Sequence, residues 1–342
     1  MIYLDRNENN YGPAPACYDI LKRADLSHLS LYDRSFTTGI KSPLSARLAR
    51  DFGVAEDRLV LGCGAEQILK QTIQCYLAKG KKLMVPSCSW WYYKKIASEV
   101  DGLSVEFPMT VGEDRFLYDL RVMREVYARE RPAVVFISTP NNPTGNSLHP
   151  ADLEAVPGEF RESVVVLDEA YVDGRATAYV KDLIDANPNL LVVRTMSKYY
   201  ALAGVRIGFG LMGKGLGALS KFSNRYLGYN RLSEELAVAA LDSPGYYAEI
   251  AGKMNEDKER YYAALGRFPG FRVFRSDANF ILAAIPPAQK AGLKAHLEER
   301  GLFIKFMDEP LLNSHIRITI GTQEENRLLI DAMNSYCGGG GG

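Results

Sequence analysis

The sequence predicts an α/β fold. The large domain is predicted to have three layers, with helices on both faces of a mostly parallel sheet. A smaller α+β domain is predicted to follow it in the chain. Near-continuous apolar runs of strand length lie at 133–137, 164–167 and 190–193, and such runs are typical of strands covered on both faces. Helical patterns separate the runs, which indicates right-handed βαβ units. Past Gly204 the order changes to a long helical stretch from 234 to 265, followed by short strand patterns. This change indicates the second domain.

The length of the chain predicts more than one lobe. A chain of 342 residues is too long for one small hydrophobic core. We predict an N-terminal arm at 1–31 that joins the smaller lobe, a large domain at 32–232 and a small C-terminal domain at 233–337. The glycine-rich tail at 338–342 is predicted to be disordered.

Composition argues against several classes of protein. Lys plus Arg and Asp plus Glu both number 41, so no global field favours nucleic acid or an anionic membrane. The sequence has no apolar run of about 18 residues and no signal-peptide pattern at its start. Its five cysteines form no Cys-x-x-Cys pair and its four histidines are scattered. We therefore expect a reduced, cytoplasmic protein without a metal site.

A single lysine, Lys198, follows the strand predicted at 190–193. Desolvation at such a position lowers the pKa of an amine, and a neutral amine can form a Schiff base with an aldehyde. Ser197 and Arg206 flank the lysine with donors suited to a phosphate monoester. The three residues suggest pyridoxal 5′-phosphate (PLP), which carries both an aldehyde and a phosphate. For this segment alone, a solvated lysine after an ordinary strand is the alternative.

Polar residues also follow the other predicted strands. Small residues at 62–66 lie between a strand and a helix, an arrangement that binds anions, although any tight turn favours glycine. Asn142 follows the 133–137 run, and Asp168 and Tyr171 follow the 164–167 run. Because ligands bind at the carboxyl ends of parallel strands, we expect one site there. Aspartate can keep a pyridine nitrogen protonated, and asparagine and tyrosine can donate to the phenolic oxygen.

Each of these residues has a structural alternative. Asp168 suits a helix cap, Tyr171 a core position and Arg206 a surface ion pair, yet their joint occurrence at successive strand ends favours a site. The aromatic run at 90–93 suits a helix packed on the core, or a wall for a planar ring. Gly-x-Gly-x-x-Gly at 208–213 matches a dinucleotide fingerprint literally, but no second strand with an acidic residue follows it.

Several motifs together resemble one enzyme family. They are Ser-Thr-Pro-Asn-Asn-Pro-Thr-Gly at 138–145, Leu-Asp-Glu-Ala-Tyr at 167–171 and the segment 194–209, with Gly-Cys-Gly-Ala-Glu at 62–66 and His-Ile-Arg-Ile-Thr-Ile-Gly at 315–321. These resemble the PLP-dependent class I/II aminotransferases, and most of all the histidinol-phosphate aminotransferase branch. The likeness covers nearly the whole chain.

The resemblance implies roles for individual residues. Lys198 forms the Schiff base, Asp168 faces the pyridine nitrogen, and Asn142 and Tyr171 face the phenolic oxygen; Lys198, Asp168 and Tyr171 are the expected catalytic set. The remaining cofactor-binding residues are expected to be Gly64, Ala65, Glu66, Trp91, Ser197, Arg206 and, on the partner subunit's phosphate, Tyr32. The expected substrate-binding residues are Asn7, Tyr11, Lys305 and Arg317, with Arg317 on an anionic group.

The sequence departs from the branch at two of these positions. The ring-stacking aromatic of the branch aligns with Cys88. Either Trp90 or Trp91 takes over the stacking, with Trp91 assigned, or the ring is held differently at Cys88. The second phosphate-binding arginine falls near Lys305, and lysine binds phosphate without the bidentate geometry of arginine.

The predicted function is amino transfer between an amino acid or amino phosphate and a 2-oxo acid, by a homodimer. The alternatives are a PLP-dependent decarboxylase or lyase of the same family, resembling threonine-phosphate decarboxylase, and a non-catalytic PLP-binding protein.

Overall fold

The computed structural model describes residues 1–174, 177–223 and 228–338. Its strands are β1 Ile2–Leu4, β2 Leu59–Gly62, β3 Lys82–Pro86, β4 Leu103–Phe107, β5 Thr110–Val111, β6 Phe116–Leu117, β7 Val134–Ser138, β8 Val164–Asp168, β9 Leu190–Thr195, β10 Gly208–Met212, β11 Arg272–Phe274, β12 Phe280–Ala284, β13 Leu302–Phe306 and β14 His315–Thr319. Its α-helices are α1 Pro15–Arg23, α2 Pro43–Phe52, α3 Ala65–Tyr76, α4 Tyr92–Ser98, α5 Leu120–Glu130, α6 Pro150–Glu159, α7 Ala178–Ala186, α8 Ser220–Ser223, α9 Arg231–Leu241, α10 Pro244–Leu265, α11 Lys290–Glu299 and α12 Gln323–Gly338.

The larger sheet has seven strands in the order β2-β10-β9-β8-β7-β3-β4. The pairs β9–β8, β8–β7, β7–β3 and β3–β4 are parallel, and only β10 runs against its neighbours. The carboxyl ends of the parallel strands therefore lie along one edge of the sheet, where ligands bind in α/β folds.

Helices cover both faces of this sheet. Within β7, Val135 and Ile137 enter a core shared with α2, α5, α6 and α7, whereas Val134 and Phe136 enter a second core with α3 and α4. Successive strand residues point to opposite faces, so the apolar run fills both cores. The predicted three-layer fold class is confirmed.

The smaller sheet has five strands in the order β1-β13-β14-β12-β11. Strand β1, from the predicted N-terminal arm, pairs parallel with β13, and the other pairs are antiparallel. Leu4 of β1 enters the core that this sheet forms with α10, α11 and α12.

The cores suggest domain limits that differ from the predicted ones. Helix α9 and Tyr247 of α10 pack into the larger core, although Tyr247 and all but the first two residues of α9 lie within the predicted small domain at 233–337. Residues from Ile250 onward pack into the smaller core. We therefore propose a boundary within α10. Gly338 ends α12, and the rest of the predicted tail lies outside the described residues.

The helical stretch predicted from 234 to 265 is two helices. Helix α9 ends at Leu241 and α10 begins with Pro244, because proline fits the first turn of a helix but removes a hydrogen bond inside one. Within 1–174, 177–223 and 228–338, no helix combines the length and the apolar character needed to cross a membrane.

Candidate active site

A cleft of about 670 Å³ lies where the carboxyl ends of the parallel strands face the smaller sheet. Both sheets supply its lining, together with the N-terminal arm. The predicted site residues that line it are Asn7, Ala65, Glu66, Trp91, Asn142, Asp168, Tyr171, Ser197, Lys198, Arg206, Lys305 and Arg317. The fold thus gathers residues that are far apart in the sequence.

Lys198 lies just beyond the end of β9, and its amine points into the cleft. The Nζ atom donates to the backbone oxygen of Arg6 at 3.0 Å and lies 5.7 Å from the ring centre of Tyr171. Burial, together with the cations of Arg317 and Arg206, lowers the pKa of this amine to about 8, although Glu8 opposes the shift. A larger fraction is therefore neutral, and hence nucleophilic, at neutral pH than for an ordinary lysine.

Asp168 is the last residue of β8 and is only 4% exposed. Its Oδ2 accepts a hydrogen bond from Tyr93 Oη at 2.5 Å, and its Oδ1 accepts one from the Ala170 amide at 3.1 Å. Burial raises the pKa of this carboxyl to about 6, while the two donors lower it. A cation in the cleft, such as a protonated ring nitrogen, would stabilise the ionised form.

The start of α3 and the segment after β9 form an anion cradle, which we define as the amide end of α3 with Ser197 and Arg206. The Arg206 Nη1 atom lies 3.4 Å from Ser197 Oγ, and its Nη2 atom lies 3.8 Å from a carboxylate oxygen of Glu66. Free amides at the first turn of a helix and a guanidinium group both favour a phosphate.

Gly64 and Gly208 make this close arrangement possible. Gly64 has φ of 79°, and a Cβ there would overlap the Arg206 guanidinium. A Cβ on Gly208 would overlap the backbone of Gly64 and Ala65. Gly64 itself is outside the cleft lining but shapes the cradle. Since Gly208–Met212 is strand β10 rather than a strand–helix turn, the dinucleotide alternative at 208–213 is wrong.

Arg317 of β14 connects the two halves of the cleft. Its Nη1 donates to Asn142 Oδ1 at 2.5 Å and its Nη2 to the backbone oxygen of Asp5 at 2.7 Å. Its buried Nε has no hydrogen-bond partner among the described residues. Burial lowers the pKa of Arg317. The group therefore retains a donor for an anionic ligand.

Tyr171 and Asn7 lie beside this arginine. Tyr171 Oη accepts a hydrogen bond from Asn7 Nδ2 at 3.0 Å, and its ring contacts Phe280 edge-on. Burial raises the pKa of Tyr171, although Arg317 opposes the shift. The phenol is thus neutral at neutral pH and can donate its proton to an oxygen in the cleft.

Two predicted residues lie away from the cleft of this chain. Tyr32 is 68% exposed and is not among the residues that line the cleft. Tyr11, predicted to bind substrate, packs against the smaller core instead. The centre of its ring lies 6.0 Å from Lys253 Nζ. The single chain therefore does not bring Tyr11 to the site, because the turn at Gly12 directs it toward α10.

The aromatic run at 90–93 supplies both a wall and a core. Trp91 lines the cleft but is 57% exposed, whereas Trp90 lines it while packed against Tyr92 and Tyr93 at 4.9 and 5.7 Å. Cys88 is buried in a separate apolar cluster. Of the two tryptophans left open by the sequence, Trp90 is held more firmly by its neighbours.

Lys305 lies opposite Arg317 in the register of β13 and β14. Its Nζ is 3.1 Å from Asp308 Oδ2, and both side chains are exposed to solvent. A second cation therefore faces the cleft beside Arg317, with an acidic neighbour that offsets part of its charge.

Sequence reasoning missed residues that form hydrogen bonds or ion pairs with Asp168 and its neighbour Glu169. Tyr93 was recognised only as part of the aromatic run. Glu169 and Arg194 form a buried ion pair at 2.8 Å between β8 and β9, and Tyr179 donates to Glu169 at 2.6 Å. The sequence signal for Tyr93 was its position three residues after Trp90, since residues at that spacing lie on the same face of a helix.

Comparisons with known proteins agree with this geometry. The family described as "Aminotransferase class I and II" matches residues 1–333. Histidinol-phosphate aminotransferase of Ruminiclostridium cellulolyticum is 31% identical, and the alignment covers 98% of this chain and 92% of that protein. Histidinol-phosphate aminotransferase 1 of Pseudomonas fluorescens is 32% identical, and the alignment covers 97% of this chain and 92% of that protein.

A solved structure is similar over nearly the same length. The crystal structure of histidinol-phosphate aminotransferase from Sinorhizobium meliloti, in complex with pyridoxal-5′-phosphate, superposes with a TM-score of 0.87 at 24% identity, covering 99% of this chain and 91% of that one. Together with the family match and the two relatives, this similarity confirms the resemblance found in the sequence. The chain belongs to the class I and II aminotransferases, in the branch that contains the histidinol-phosphate aminotransferases.

Proposed function

We propose that this protein is a PLP-dependent aminotransferase that carries its cofactor on Lys198. The substrates would be an amino acid or amino phosphate as donor and a 2-oxo acid as acceptor. One observation carries the proposal: an amine with a lowered pKa shares a cleft with a buried carboxylate and an anion cradle. These are the three groups that the aldehyde, the pyridine nitrogen and the phosphate of PLP require.

The residues present fit this cofactor. The space above Gly64, which a side chain would fill, leaves the Arg206 guanidinium close to the first amides of α3, where a phosphate would accept from both. Asp168 would meet the ring nitrogen and Trp90 would cover one face of the ring. Asn142 and Tyr171 would lie beside the phenolic oxygen.

When bound, PLP withdraws electrons from the bonds at the amino-bearing carbon of the substrate. Lys198 would accept a proton at Nζ from that carbon and deliver it to the former aldehyde carbon of the cofactor, as a general base and then a general acid. Its lowered pKa matches this exchange, since efficient proton transfer requires a pKa near the working pH. Asp168 would remain negative throughout and stabilise positive charge on the ring nitrogen.

Arg317 is the residue that we propose for the anionic group of the substrate. Its guanidinium is buried and its Nε lacks a partner among the described residues. A carboxylate or phosphate would supply the missing acceptor and form a charge-assisted hydrogen bond. Asn7 and Lys305 line the same end of the cleft, and we propose that they contact the substrate too.

We further propose that two copies of the chain form a homodimer, with Tyr32 bound to the partner subunit's phosphate. Leu26, Leu29, Leu31 and Tyr32 are all exposed on one short segment, and exposed apolar clusters of this kind mark protein interfaces. Sedimentation of the purified protein at about twice the chain mass would support the dimer.

The free cysteines support a reducing, cytoplasmic location.

A single-turnover experiment tests the proposed activity. Protein loaded with PLP is mixed with each of a panel of amino acids and amino phosphates, and without any 2-oxo acid. An aminotransferase forms no more than one oxo product per subunit and resumes turnover only when an acceptor is added. Continuous release of carbon dioxide without an acceptor would instead identify a decarboxylase. A change in cofactor absorbance without any product, across the whole panel, would instead support a non-catalytic PLP-binding protein.

A further inference from the structure

Tyr93 lies behind Asp168 and fixes the direction of its carboxylate. The Tyr93 hydroxyl donates to Oδ2 at 2.5 Å, while the Ala170 amide donates to Oδ1 at 3.1 Å. Each carboxylate oxygen therefore has one donor from the protein, although Tyr93 and Ala170 also border the cleft. Hydrogen bonds to an ionised acceptor are stronger than those between neutral groups.

The Tyr93 side chain is itself held rigidly. It is 1% exposed, and its ring packs edge-on against Phe136 at 5.3 Å and against Trp90 at 5.7 Å. Burial raises the pKa of Tyr93 well above its ordinary value, and Asp168 raises it further. The phenol is thus a permanent proton donor at neutral pH.

The other ionisable groups around Asp168 do not replace this donor. Tyr118 donates to the backbone oxygen of Ser138 at 2.6 Å, and Tyr171 accepts from Asn7. Glu169 raises the pKa of Asp168 by repulsion, although its charge is paired with Arg194 at 2.8 Å. Tyr93 is the side chain that favours the ionised form of Asp168 by a direct hydrogen bond.

We propose that Tyr93 is a positioning residue for the cofactor, whose hydroxyl holds Asp168 ionised and aimed at the pyridine nitrogen and so strengthens PLP binding. This inference rests on the proposed function, in which Asp168 faces that nitrogen. Tyr93 lines the cleft, but its hydroxyl donates to Asp168. It acts only through the carboxylate.

The substitution Tyr93→Phe tests this role without measuring activity. The dissociation constant of PLP is measured on cofactor-free protein by cofactor absorbance, between about pH 5.5 and 8.5. We expect it to rise about tenfold at the acid end of this range, the usual size of a lost hydrogen bond to a charged group. Near pH 7 the rise should be only about twofold, because about half of Asp168 stays ionised there even after a one-unit shift from about 6. The acid limb of the binding curve should move about one unit toward higher pH, because Asp168 then takes up a proton more readily.

Tyr118→Phe is the matched control. It also removes a phenol near Asp168, but one that donates to a backbone oxygen instead. Its pH profile for PLP binding should match that of the wild type. If Tyr93→Phe and Tyr118→Phe shift the profile equally, or if neither does, the positioning role is wrong.

A PLP analogue with carbon in place of the ring nitrogen separates this role from a general loss of structure. For that analogue, wild type and Tyr93→Phe should bind equally, and a persistent tenfold difference would contradict the proposal. Asp168→Asn is measured in parallel. If Asp168→Asn does not change the pH profile of PLP binding, the proposed function of Asp168 is wrong as well. If Asp168→Asn changes the profile and Tyr93→Phe does not, only the positioning role of Tyr93 is wrong.

A fluorotyrosine at position 93 keeps the test decisive should Tyr93→Phe not fold. Fluorine beside the hydroxyl makes the phenol a stronger donor while adding little volume. The acid limb of the PLP binding curve should then move to lower pH, the reverse of the Phe variant. A shift to higher pH, or none, would overturn the assignment.

Discussion

Gly64 is the position where one added methyl group should damage the anion cradle most selectively. Its φ of 79° and ψ of 165° lie in a region that other residues avoid, at a strain of about 1–3 kcal/mol. In Gly64→Ala the new Cβ would also lie 3.0 Å from Cζ of Arg206. We expect the guanidinium to move out of the cradle.

The size of the effect follows from the contact that is lost. A hydrogen bond from a guanidinium to a phosphate contributes about 1.5–3 kcal/mol. The dissociation constant of PLP should therefore rise about tenfold to a hundredfold in Gly64→Ala. Backbone strain is present in both the free and the bound protein, so it should lower the free energy of unfolding without affecting binding.

Titration with two ligands separates these effects. PLP and pyridoxal, which lacks the phosphate, are each added to cofactor-free protein and followed by absorbance. Only the PLP affinity should fall. Gly217→Ala is the control, since no atom lies within 4 Å of its new Cβ. If folded Gly64→Ala binds PLP like the wild type, or loses pyridoxal affinity equally, Arg206 does not hold the phosphate.

Three other changes should have distinct outcomes. In Lys198→Ala the turnover rate should fall at least about a thousandfold. Treatment with borohydride should no longer attach the cofactor covalently to the protein, which is checked by measuring the protein mass. The rate of PLP capture should rise about tenfold per pH unit and level off near pH 8, where half of Lys198 is neutral, rather than near the 10.4 of a model lysine; stopped-flow absorbance measures it. Glu169→Leu should lower the free energy of unfolding in urea by about 3–5 kcal/mol because it leaves a buried cation beside β8. Adding Arg194→Met should recover most of that loss, and no recovery would show that lost packing, not the charge, destabilises the single variant.

The sequence predicted the strand ends well because the strands are buried on both faces. Continuous apolar runs locate β7, β8 and β9, and parallel connections bring their carboxyl ends together. Asp168 ends β8, and Asn142 and Lys198 lie a few residues beyond β7 and β9, so their positions in one cleft could be predicted from the sequence alone. The phosphate cradle was also predictable, since small residues between β2 and α3 leave free amides.

Contacts between distant segments could not be predicted in this way. Tyr93 and Asp168 are 75 residues apart, and their hydrogen bond depends on how α4 packs against the larger sheet, where Tyr93 contacts Phe136 of β7. The aromatic run suggested a role without indicating which ring faces the cleft. Tyr11 was predicted to bind substrate, but the turn from Asn9 to Gly12 directs its ring toward α10. Side-chain direction after a turn depends on backbone angles that local composition leaves open.

The hydrogen bonds of Arg317 link substrate binding to the arrangement of the two sheets. This residue lies on the smaller sheet, yet it donates to Asn142, which follows strand β7 of the larger sheet, and to Asp5 of the N-terminal arm. An anionic substrate that accepts from its free Nε would share one planar guanidinium with both partners. Since the geometry of that fork is fixed, binding the anion also sets where Asn142 points, and Asn142 is the residue proposed to contact the phenolic oxygen of PLP. If Arg317 and Asn142 have the proposed roles, substrate recognition and cofactor contact would meet in the Arg317 side chain.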